Sequence, residues 1–452
     1  MPDIKKILTR GVIEIIDRDQ LTAKLQKNPE KVLIKFGVDP TSPDLHLGHA
    51  VCLRKLREFQ DLGCKVVFLI GDFTARIGDP TGKSKLRPEL EQKTVEANVK
   101  TYLKQASQIL KIDPQHFAWI RNSDWFVSMH DINAPAGGRI TFTAQNQKFS
   151  SPPLPANHVL AKTQLWLKSR MQKQRIKHYS FINILAILRH LTHARLIERE
   201  MFQNRIKAKE PIFLHELMYP IIQGLDSNAL FDIFGSCDLE LGGNDQHFNM
   251  LMGREILTLN KRPPQAVLTM PILAGLDGKQ KMSKSLGNQI GITESPREIF
   301  GRTMRIPDEL ILPWAELTTN LDLTDLTQRL KTGENPRNLK AELARALVTI
   351  YHSAAAGLSA EQEFNQIFAQ KAKSQPTEIP LLQIEAGDWN IIDLLKAAEF
   401  IASKSEARRI IQQNGVKINS KLVTDITASF PIKKTELILQ VGKKRWKRIV
   451  GL

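Results

Sequence analysis

The sequence has few cysteines and no long apolar segment. Its three cysteines, Cys52, Cys64 and Cys237, match no metal-ligand spacing. Such sparse thiols are typical of a reducing compartment, so we expect a cytoplasmic location. No apolar run is long enough to cross a bilayer, and charged residues stand in the N-terminal stretch where a secretory signal has its apolar core. We therefore expect neither a membrane span nor a cleaved signal.

Acidic residues are too few to balance the basic ones, and the net charge is +17. Two segments carry most of the excess. Residues 129–178 hold eight Lys and Arg against one Asp, and residues 388–452 hold thirteen against six acidic residues. A surplus spread over the whole chain would indicate only a solvated surface. Because this one is clustered, it indicates a polyanionic partner, and nucleic acid is the common one.

Three segments near the N-terminus predict part of a parallel sheet. Residues 31–38 (KVLIKFGV) predict a buried strand, and the turn DPTSPD ends it. Residues 45–62 have apolar side chains at close to helical spacing, and residues 65–70 (KVVFLI) predict the next strand. This order of strand, helix and strand is the βαβ unit of an open sheet, in which ligands bind beyond the carboxyl ends of the strands.

The turn leads into two histidines three residues apart, in the stretch HLGH. In the first turn of a helix, His46 and His49 lie on one face, where free N–H groups and the helix dipole favour anions. Gly48 allows a flat ring or a phosphate to approach the backbone. The pair is either two ordinary surface histidines or, as we favour, part of a site for a nucleoside triphosphate.

A lysine-rich loop later in the chain strengthens this interpretation. In KMSKS, Lys281 and Lys284 are also three residues apart, after an apolar strand predicted at 265–273. Mobile ammonium groups can follow a leaving pyrophosphate and bind it most tightly in the transition state. One lysine pair alone indicates only a solvated loop. An early HLGH followed by KMSKS resembles the two signatures of the class I aminoacyl-tRNA synthetases.

That resemblance implies a reaction. A substrate carboxylate attacks the α-phosphate of ATP and expels pyrophosphate, and catalysis consists of positioning and charge neutralisation without a protein nucleophile. ATP is then a substrate, and Mg²⁺ arrives with its phosphates. No tightly bound cofactor and no protein metal site are expected.

Most of the chain, apart from about residues 129–178, resembles bacterial tyrosyl-tRNA synthetases, notably in IGDPTGKSKLR, YPIIQGLD and GGNDQ. The resemblance implies contacts to L-tyrosine from Asp79, Tyr219, Gln223, Asp226 and Gln246, with Asp226 meeting the phenolic hydroxyl. It implies contacts to ATP from Gly37, Asp39, Gly48, Gly243, Asp245 and Lys284. It implies catalytic and phosphate-binding roles for Thr41, His46, His49, Lys83, Arg87, Lys281 and Lys284. The spacing of Tyr219, Gln223 and Asp226 independently places them on one face of a helix.

Two positions depart from the family pattern. Lys35 and Leu225 each stand where a tyrosine is common. A second ligand for the substrate phenol is therefore missing or replaced. Because a buried carboxylate that must be hydrogen-bonded rejects a substrate without the hydroxyl, Asp226 keeps tyrosine as the expected substrate. The related tryptophanyl enzymes share both signatures and stay an alternative.

The C-terminal segment has its own pattern. Residues 404–425 predict a basic helix, an Asn-Gly turn and a strand, and they resemble the small S-four-like RNA-binding domain. In this domain Asn414 stands where a second Gly is common. Phosphate contacts to tRNA are expected from Arg408, Arg409, Lys417, Lys444 and Arg445.

We therefore predict an α/β protein that acts as a tyrosine–tRNA ligase, with tRNA as its partner. A Rossmann-like parallel-sheet catalytic domain is expected at 1–294 and a helical tRNA-binding domain on the anticodon side at 295–370. A linker is expected at 371–387, and a small α+β RNA-binding domain at 388–452. In the insertion at 129–178 we expect a loop or disorder, then a basic helix from about residue 159. The family resemblance implies a homodimer.

Two other functions stay open from the sequence alone. A splicing cofactor that kept a synthetase fold would bind RNA without catalysis, but the intact HLGH and KMSKS stretches argue against it. A nucleotidyltransferase with an HxGH turn would not need residues 388–452.

Overall fold

The structure is a computed structural model that describes residues 3–80, 90–126, 141–144, 147–150, 181–373, 379–442 and 445–452. The chain forms two compact units, Met1–Glu361 and Gln362–Leu452. The strands of the first unit are β1 (Glu14–Ile16), β2 (Leu33–Val38), β3 (Lys65–Ile70), β4 (Phe117–Arg121), β5 (Thr141–Ala144), β6 (Gln147–Ser150), β7 (Leu239–Gly243) and β8 (Ala266–Met270). Within the described ranges, every helix is too short or too polar to cross a bilayer.

The helices that begin in the first unit are α1 (Ile4–Ile7), α2 (Arg18–Lys27), α3 (Leu47–Leu62), α4 (Thr74–Ile77), α5 (Gln92–Ala106), α6 (Ser123–Phe126), α7 (Phe181–Leu188), α8 (His193–Ile197), α9 (Glu200–Lys207), α10 (Leu214–Phe234), α11 (His247–Leu259), α12 (Pro296–Thr303), α13 (Ile311–Thr318), α14 (Leu323–Lys331), α15 (Pro336–Tyr351) and α16 (Ala354–Lys373). The region predicted to be helical at 295–370 is thus built from helices, which run from Pro296 to Lys373.

The main sheet has six strands in the order β1-β8-β7-β2-β3-β4. β1 pairs antiparallel with β8, and the other pairs are parallel. From β2 the chain adds β3 and β4 on one side, then returns to add β7 and β8 on the other. The strand order therefore reverses between β2 and β7, and in open α/β sheets ligands bind at such a point. The predicted α/β fold with a parallel sheet is confirmed.

The helix after the DPTSPD turn begins at Leu47, two residues later than predicted, and ends at Leu62. Its apolar face, including Val51, Leu56 and Phe59, is fully buried. Gly63 ends it with a positive φ of 107°, a conformation that an L side chain rarely adopts. These features direct the first turn of α3, with both histidines, towards the carboxyl edge of the sheet.

Helix α10 crosses the same edge and packs closely on α11. A Cβ at Gly224 would lie 3.0 Å from backbone atoms of Met252, so glycine allows the two helices to approach. Leu225 is fully buried with Ile221, Met252 and Ile256 in the core between these helices. Leu225 therefore faces α11 and serves in packing, and the polar residues of the helix face the other way.

One prediction in the insertion is corrected. Residues 141–144 and 147–150, predicted as loop or disorder, form the antiparallel strands β5 and β6, with Phe142 opposite Phe149. Alternating Thr and Phe residues favour a strand, and this local preference outweighs the glycines and prolines around it. After the insertion, the chain forms the three short helices α7, α8 and α9. The predicted basic helix from about residue 159 lies outside the described residues.

The second unit contains the remaining elements: β9 (Leu381–Ile384), β10 (Gly387–Asn390), α17 (Ile391–Ala397), α18 (Lys404–Gln412), β11 (Val416–Ile418), β12 (Lys421–Leu422), β13 (Ser429–Ile432), β14 (Leu437–Val441) and β15 (Arg445–Gly451). Five strands form a sheet in the order β12-β11-β14-β15-β9, and β10 pairs with β13. The linker predicted at 371–387 is wrong for its second half, because β9 pairs in parallel with β15. The alternating apolar residues of β9, Leu382 and Ile384, pack against the core of this unit.

Candidate active site

A cavity of about 520 Å³ lies at the carboxyl edge of the main sheet, above the point where the strand order reverses. It brings together all of the predicted catalytic, ATP-binding and tyrosine-binding residues that the structure describes. They are Gly37, Asp39, Thr41, His46, Gly48, His49, Asp79, Tyr219, Gln223, Asp226, Gly243, Asp245, Gln246, Lys281 and Lys284. Lys83 and Arg87 lie outside the described residues.

The turn before the histidines is held by one face of helix α5. The Gln105 side chain accepts a hydrogen bond from the Leu45 backbone N–H at 2.8 Å and donates to the Pro43 carbonyl at 2.9 Å. Asn98 donates to the Pro40 carbonyl at 2.8 Å. Both amides are buried, so they replace the hydrogen bonds that this irregular backbone lacks. We did not predict this role, although two amides among the apolar positions of a helix were a signal for it.

The two imidazoles lie against each other with their ring centroids 4.0 Å apart. The backbone N–H of His46 donates to Nδ1 of His49 at 3.3 Å, so the proton of a neutral His49 is on Nε2. Burial, with smaller effects from His49 and Lys281, lowers the pKa of His46 to about 2. Burial and then Lys281 lower the pKa of His49 to about 4. Both rings are therefore neutral N–H donors at physiological pH.

The lysines of KMSKS each have a carboxylate partner at the rim of the cavity. Lys281 Nζ lies 3.3 Å from Asp245, and Lys284 Nζ lies 2.6 Å from Asp44 in the DPTSPD turn. Both lysine side chains are more than 40% exposed, so these ion pairs are weak and easily exchanged. The two ammonium groups thus lie at the cavity rim on the side of the histidines.

Three polar side chains of α10 face the cavity at different depths. Tyr219 donates its hydroxyl proton to Asp39 at 2.8 Å, which orients its oxygen lone pairs as acceptors. The side-chain amide N–H of Gln223 donates a hydrogen bond to Glu240 at 3.1 Å. Asp226 is 2% exposed and accepts a hydrogen bond from the indole nitrogen of Trp125 at 2.9 Å. The spacing argument is confirmed: one helix face supplies all three residues.

The carboxyl group of Asp226 is strongly perturbed. Burial raises its pKa to about 7, although the charge of Lys35 and hydrogen bonds from Trp125 and Asn122 oppose the shift. The charge of Glu240 adds to the rise. A group with this pKa is partly ionised at physiological pH and responds strongly to a ligand that donates a hydrogen bond.

Lys35 forms a buried ion pair beneath Gln223. Its Nζ lies 3.0 Å from Oε1 of Glu240, and the two side chains are 0% and 2% exposed. Lys35 also donates to the backbone carbonyl of Gln223 and to the hydroxyl of Ser227, each at 2.8 Å. The position at which the family resemblance implies a tyrosine is thus occupied by a cation with partners inside the protein. Its anionic partner Glu240 had no signal in the sequence that we recognised.

Two family profiles match this chain. The profile described as tRNA synthetases class I (W and Y) matches residues 27–134 and 144–369, and the profile described as Tyrosine--tRNA ligase SYY-like C-terminal domain matches residues 371–449. A Tyrosine--tRNA ligase of Moorella thermoacetica is 40% identical over 451 residues, which cover 98% of this chain and 95% of that protein. The chain belongs to the tyrosyl-tRNA synthetase family.

Other relatives agree with this family assignment. The Tyrosine--tRNA ligase of Mannheimia succiniciproducens is 39% identical and covers 99% of both chains. The solved structure of a C-terminally truncated mitochondrial tyrosyl-tRNA synthetase of Aspergillus nidulans has a TM-score of 0.57 and 20% identity, covering 79% of this chain and 92% of that one. The tyrosyl-tRNA synthetase of Archaeoglobus fulgidus, complexed with L-tyrosine, has a TM-score of 0.53 at 20% identity and covers 78% and 98%. At that identity the structures show the shared fold alone.

Membership of the tyrosyl family resolves the alternatives left by the sequence. Full-length relatives named for tyrosine and a matching tyrosyl C-terminal domain exclude the tryptophanyl reading. One expectation is wrong in part. The synthetase profile is interrupted only at 135–143, so residues 144–178 fall inside the family match.

The family's C-terminal domain presents part of the predicted RNA surface. Arg408 and Arg409 are exposed on α18, and Lys417 is exposed on β11. Asn414, at the position where the resemblance implies a glycine, has a φ of 55°, which asparagine tolerates. Arg445 donates to the Phe400 carbonyl at 2.6 Å and lies over that ring, so it also serves to hold the domain together. Lys444 lies outside the described residues.

Proposed function

We propose that this synthetase activates L-tyrosine with ATP in the cavity described above and then transfers it to its tRNA. The convergence of the HLGH turn, the KMSKS lysines and the polar face of α10 on one cavity carries this assignment. In the first step a tyrosine carboxylate oxygen bonds to the α-phosphorus of ATP. The bond from that phosphorus to the bridging oxygen breaks, and pyrophosphate leaves.

The histidines and lysines act on the phosphates. His46 and His49 donate neutral N–H groups to the α-phosphate as negative charge develops on it. Lys281 and Lys284 exchange their carboxylate partners for the leaving pyrophosphate and bind it most tightly in the transition state. Thr41 contacts the γ-phosphate, and Lys83 and Arg87 bind phosphates, as the family resemblance implies.

Nucleotide binding uses the strand ends around the cavity. Gly37, Asp39 and Gly48 border the ATP, and Gly243 and Asp245 contact its ribose. The substrate is MgATP, with Mg²⁺ held on the phosphates. Among the described residues, no cluster of three His, Cys, Asp or Glu side chains is placed to hold a metal ion.

Tyrosine is bound at both of its polar ends. Asp79, Tyr219, Gln223 and Gln246 surround the ammonium group, and each offers an oxygen acceptor. Asp226 accepts the phenolic hydrogen bond at the closed end. A phenylalanine leaves this carboxylate without its partner, and the cost of that loss provides the discrimination.

Transfer requires the tRNA to reach the same cavity. The ribose hydroxyl of the terminal adenosine attacks the carbonyl of tyrosyl-adenylate, and AMP leaves. Phosphate contacts come from Arg408, Arg409, Lys417, Lys444 and Arg445, and the helical region at 295–370 adds to tRNA binding. We further propose a cytoplasmic homodimer, as the family resemblance implies.

ATP–pyrophosphate exchange, measured with each amino acid in turn, tests the proposal. Tyrosine alone should support fast exchange, and charging should then require tRNA specific for tyrosine. Exchange supported equally by tryptophan or phenylalanine would contradict the assignment of Asp226.

A further inference from the structure

Lys35 and Glu240 lie on the two strands between which the sheet order reverses, and they are Cα partners in the pairing of β2 with β7. The three N–H donors of the Lys35 ammonium point to Oε1 of Glu240, the backbone carbonyl of Gln223 and the hydroxyl of Ser227. The distances are 3.0, 2.8 and 2.8 Å. With these donors engaged inside the protein, Lys35 is not a direct ligand of the substrate. Its effect on tyrosine must therefore pass through its neighbours.

We propose that the Lys35–Glu240 ion pair is a positioning device that fixes the amide orientation of Gln223 and, through Asn249, that of Gln246. The substrate ammonium then meets amide oxygens and not amide nitrogens. The inference rests on the proposed assignment of Gln223 and Gln246 to the tyrosine ammonium.

The orientation of Gln223 follows from the charge of Glu240. An ionised carboxylate only accepts hydrogen bonds, so Gln223 must turn its amide nitrogen towards it, at 3.1 Å from Oε1. The amide oxygen of Gln223 then faces the other way, where it accepts from Nδ2 of Asn249 at 3.1 Å. An oxygen placed there retains a lone pair for an ammonium group.

The relay continues from Asn249 to a second carboxylate. Nδ2 of the fully buried Asn249 also donates to Oε1 of Gln246 at 3.0 Å. Gln246 therefore presents its nitrogen to Asp79, at 2.8 Å. The chain of amides lies between two acceptor-only groups, Glu240 and Asp79. Reversal of one amide would place two nitrogens or two oxygens in contact, so the orientations are coupled.

Lys35 anchors one end of this relay through its ion pair with Glu240. A buried carboxylate needs a cation or several hydrogen-bond donors to compensate its charge. Ser227 and the amide nitrogen of Gln265 donate to the other oxygen of Glu240, so the whole carboxylate is satisfied. An amide at this position, as in Glu240→Gln, could also donate and would permit Gln223 to turn its oxygen inwards.

Binding of tyrosine and of 3-(4-hydroxyphenyl)propionate, which lacks the amino group, separates this role from general damage. We expect Lys35→Met and Glu240→Gln to raise the Kd of tyrosine by about ten- to a hundredfold, the usual effect of losing a hydrogen bond to a charged group. The Kd of the deamino ligand, measured as a competitive inhibitor of exchange, should change less than about twofold. Cys64→Ala is the control, because Cys64 is a buried cysteine of the same unit whose charged neighbours are Asp238 and Glu30.

Equal weakening of both ligands, or an unchanged Kd for tyrosine, would overturn the positioning role. If a single variant does not fold because one charge stays buried, the double variant Lys35→Met/Glu240→Gln removes both charges and should show the same selective loss. Absence of tyrosine-dependent exchange in the wild-type protein would instead refute the proposed function, so the two failures are distinguishable.

Discussion

The indole nitrogen of Trp125 donates a 2.9 Å hydrogen bond to Oδ1 of Asp226 at the closed end of the cavity. This bond favours the ionised carboxylate, yet burial is the larger effect and raises the pKa of Asp226 to about 7. The protonation state of one residue in the proposed tyrosine site therefore changes within the physiological pH range.

A first prediction concerns pH. Ionised Asp226 accepts the phenolic hydrogen bond, and it becomes protonated as the pH falls through about 7. The pH dependence of kcat/KM reports the ionisation of groups in the free enzyme. The kcat/KM for tyrosine should thus fall about tenfold between pH 8 and pH 6. The kcat/KM for phenylalanine should fall less, because this substrate has no hydroxyl to donate. A constant ratio of the two over this range would contradict the prediction.

A second prediction concerns specificity. Asp226→Ala removes the proposed phenol ligand, and discrimination between tyrosine and phenylalanine should fall by about ten- to a hundredfold. The measurement is kcat/KM for both substrates in ATP–pyrophosphate exchange. Leu225→Met, next to Asp226 but packed against α11, serves as the control for a change in the helix. If Asp226→Ala keeps the wild-type ratio, the specificity ligand lies elsewhere.

A third prediction concerns the leaving group. Lys284→Ala should slow adenylate formation by about 10²–10³, because the ammonium stabilises charge that develops only in the transition state. The Kd of tyrosine should stay close to the wild-type value. Asp44→Asn, which removes the 2.6 Å partner and keeps the lysine, should change the rate by less than about fivefold, since exposed pairs contribute little. Single-turnover adenylation at the wild-type rate in Lys284→Ala would refute the role.

The sequence was sufficient to predict the features that depend on a local pattern of residues. The βαβ unit, the histidine helix and the polar face of α10 follow from spacing, and the structure contains all three. The partners of those residues come from distant segments, and local pattern contains no information about them. Glu240 lies beside Lys35 only because β7 returns to the far side of β2. Gln105 reaches the histidine turn only through the packing of α5.

The failure at residues 371–387 has a similar physical origin. A stretch with Pro, Lys and Ser around a short apolar segment is typical of a linker, and four alternating residues give a weak strand signal. β9 is stabilised by its pairing with β15, more than sixty residues away in the chain. A strand at the edge of a sheet is determined by its partner, which single-sequence reasoning does not identify.

A fourth prediction tests how α5 positions the histidine turn. Gln105→Met leaves the Leu45 N–H and the Pro43 carbonyl without their partners, which should lower the free energy of unfolding by about 1–3 kcal/mol. The kcat of exchange should fall while the KM for tyrosine stays near its wild-type value, because the turn carries His46 and not the tyrosine ligands. Lys104→Ala on the exposed face of the same helix should alter neither. A change in the KM for tyrosine alone would contradict this role.

The last prediction concerns the C-terminal unit. Removal of residues 379–452 should leave ATP–pyrophosphate exchange intact and strongly reduce tRNA charging, because this unit has its own core and holds no residue assigned to ATP. A cut at 388 is unsuitable, since it would keep β9 and remove its partner β15. In the full-length protein, combined Ala substitutions at the exposed Arg408, Arg409 and Lys417 should raise the KM for tRNA and make it less dependent on salt, because fewer phosphate contacts remain. Undiminished charging by the truncated protein would place the tRNA contacts in the first unit.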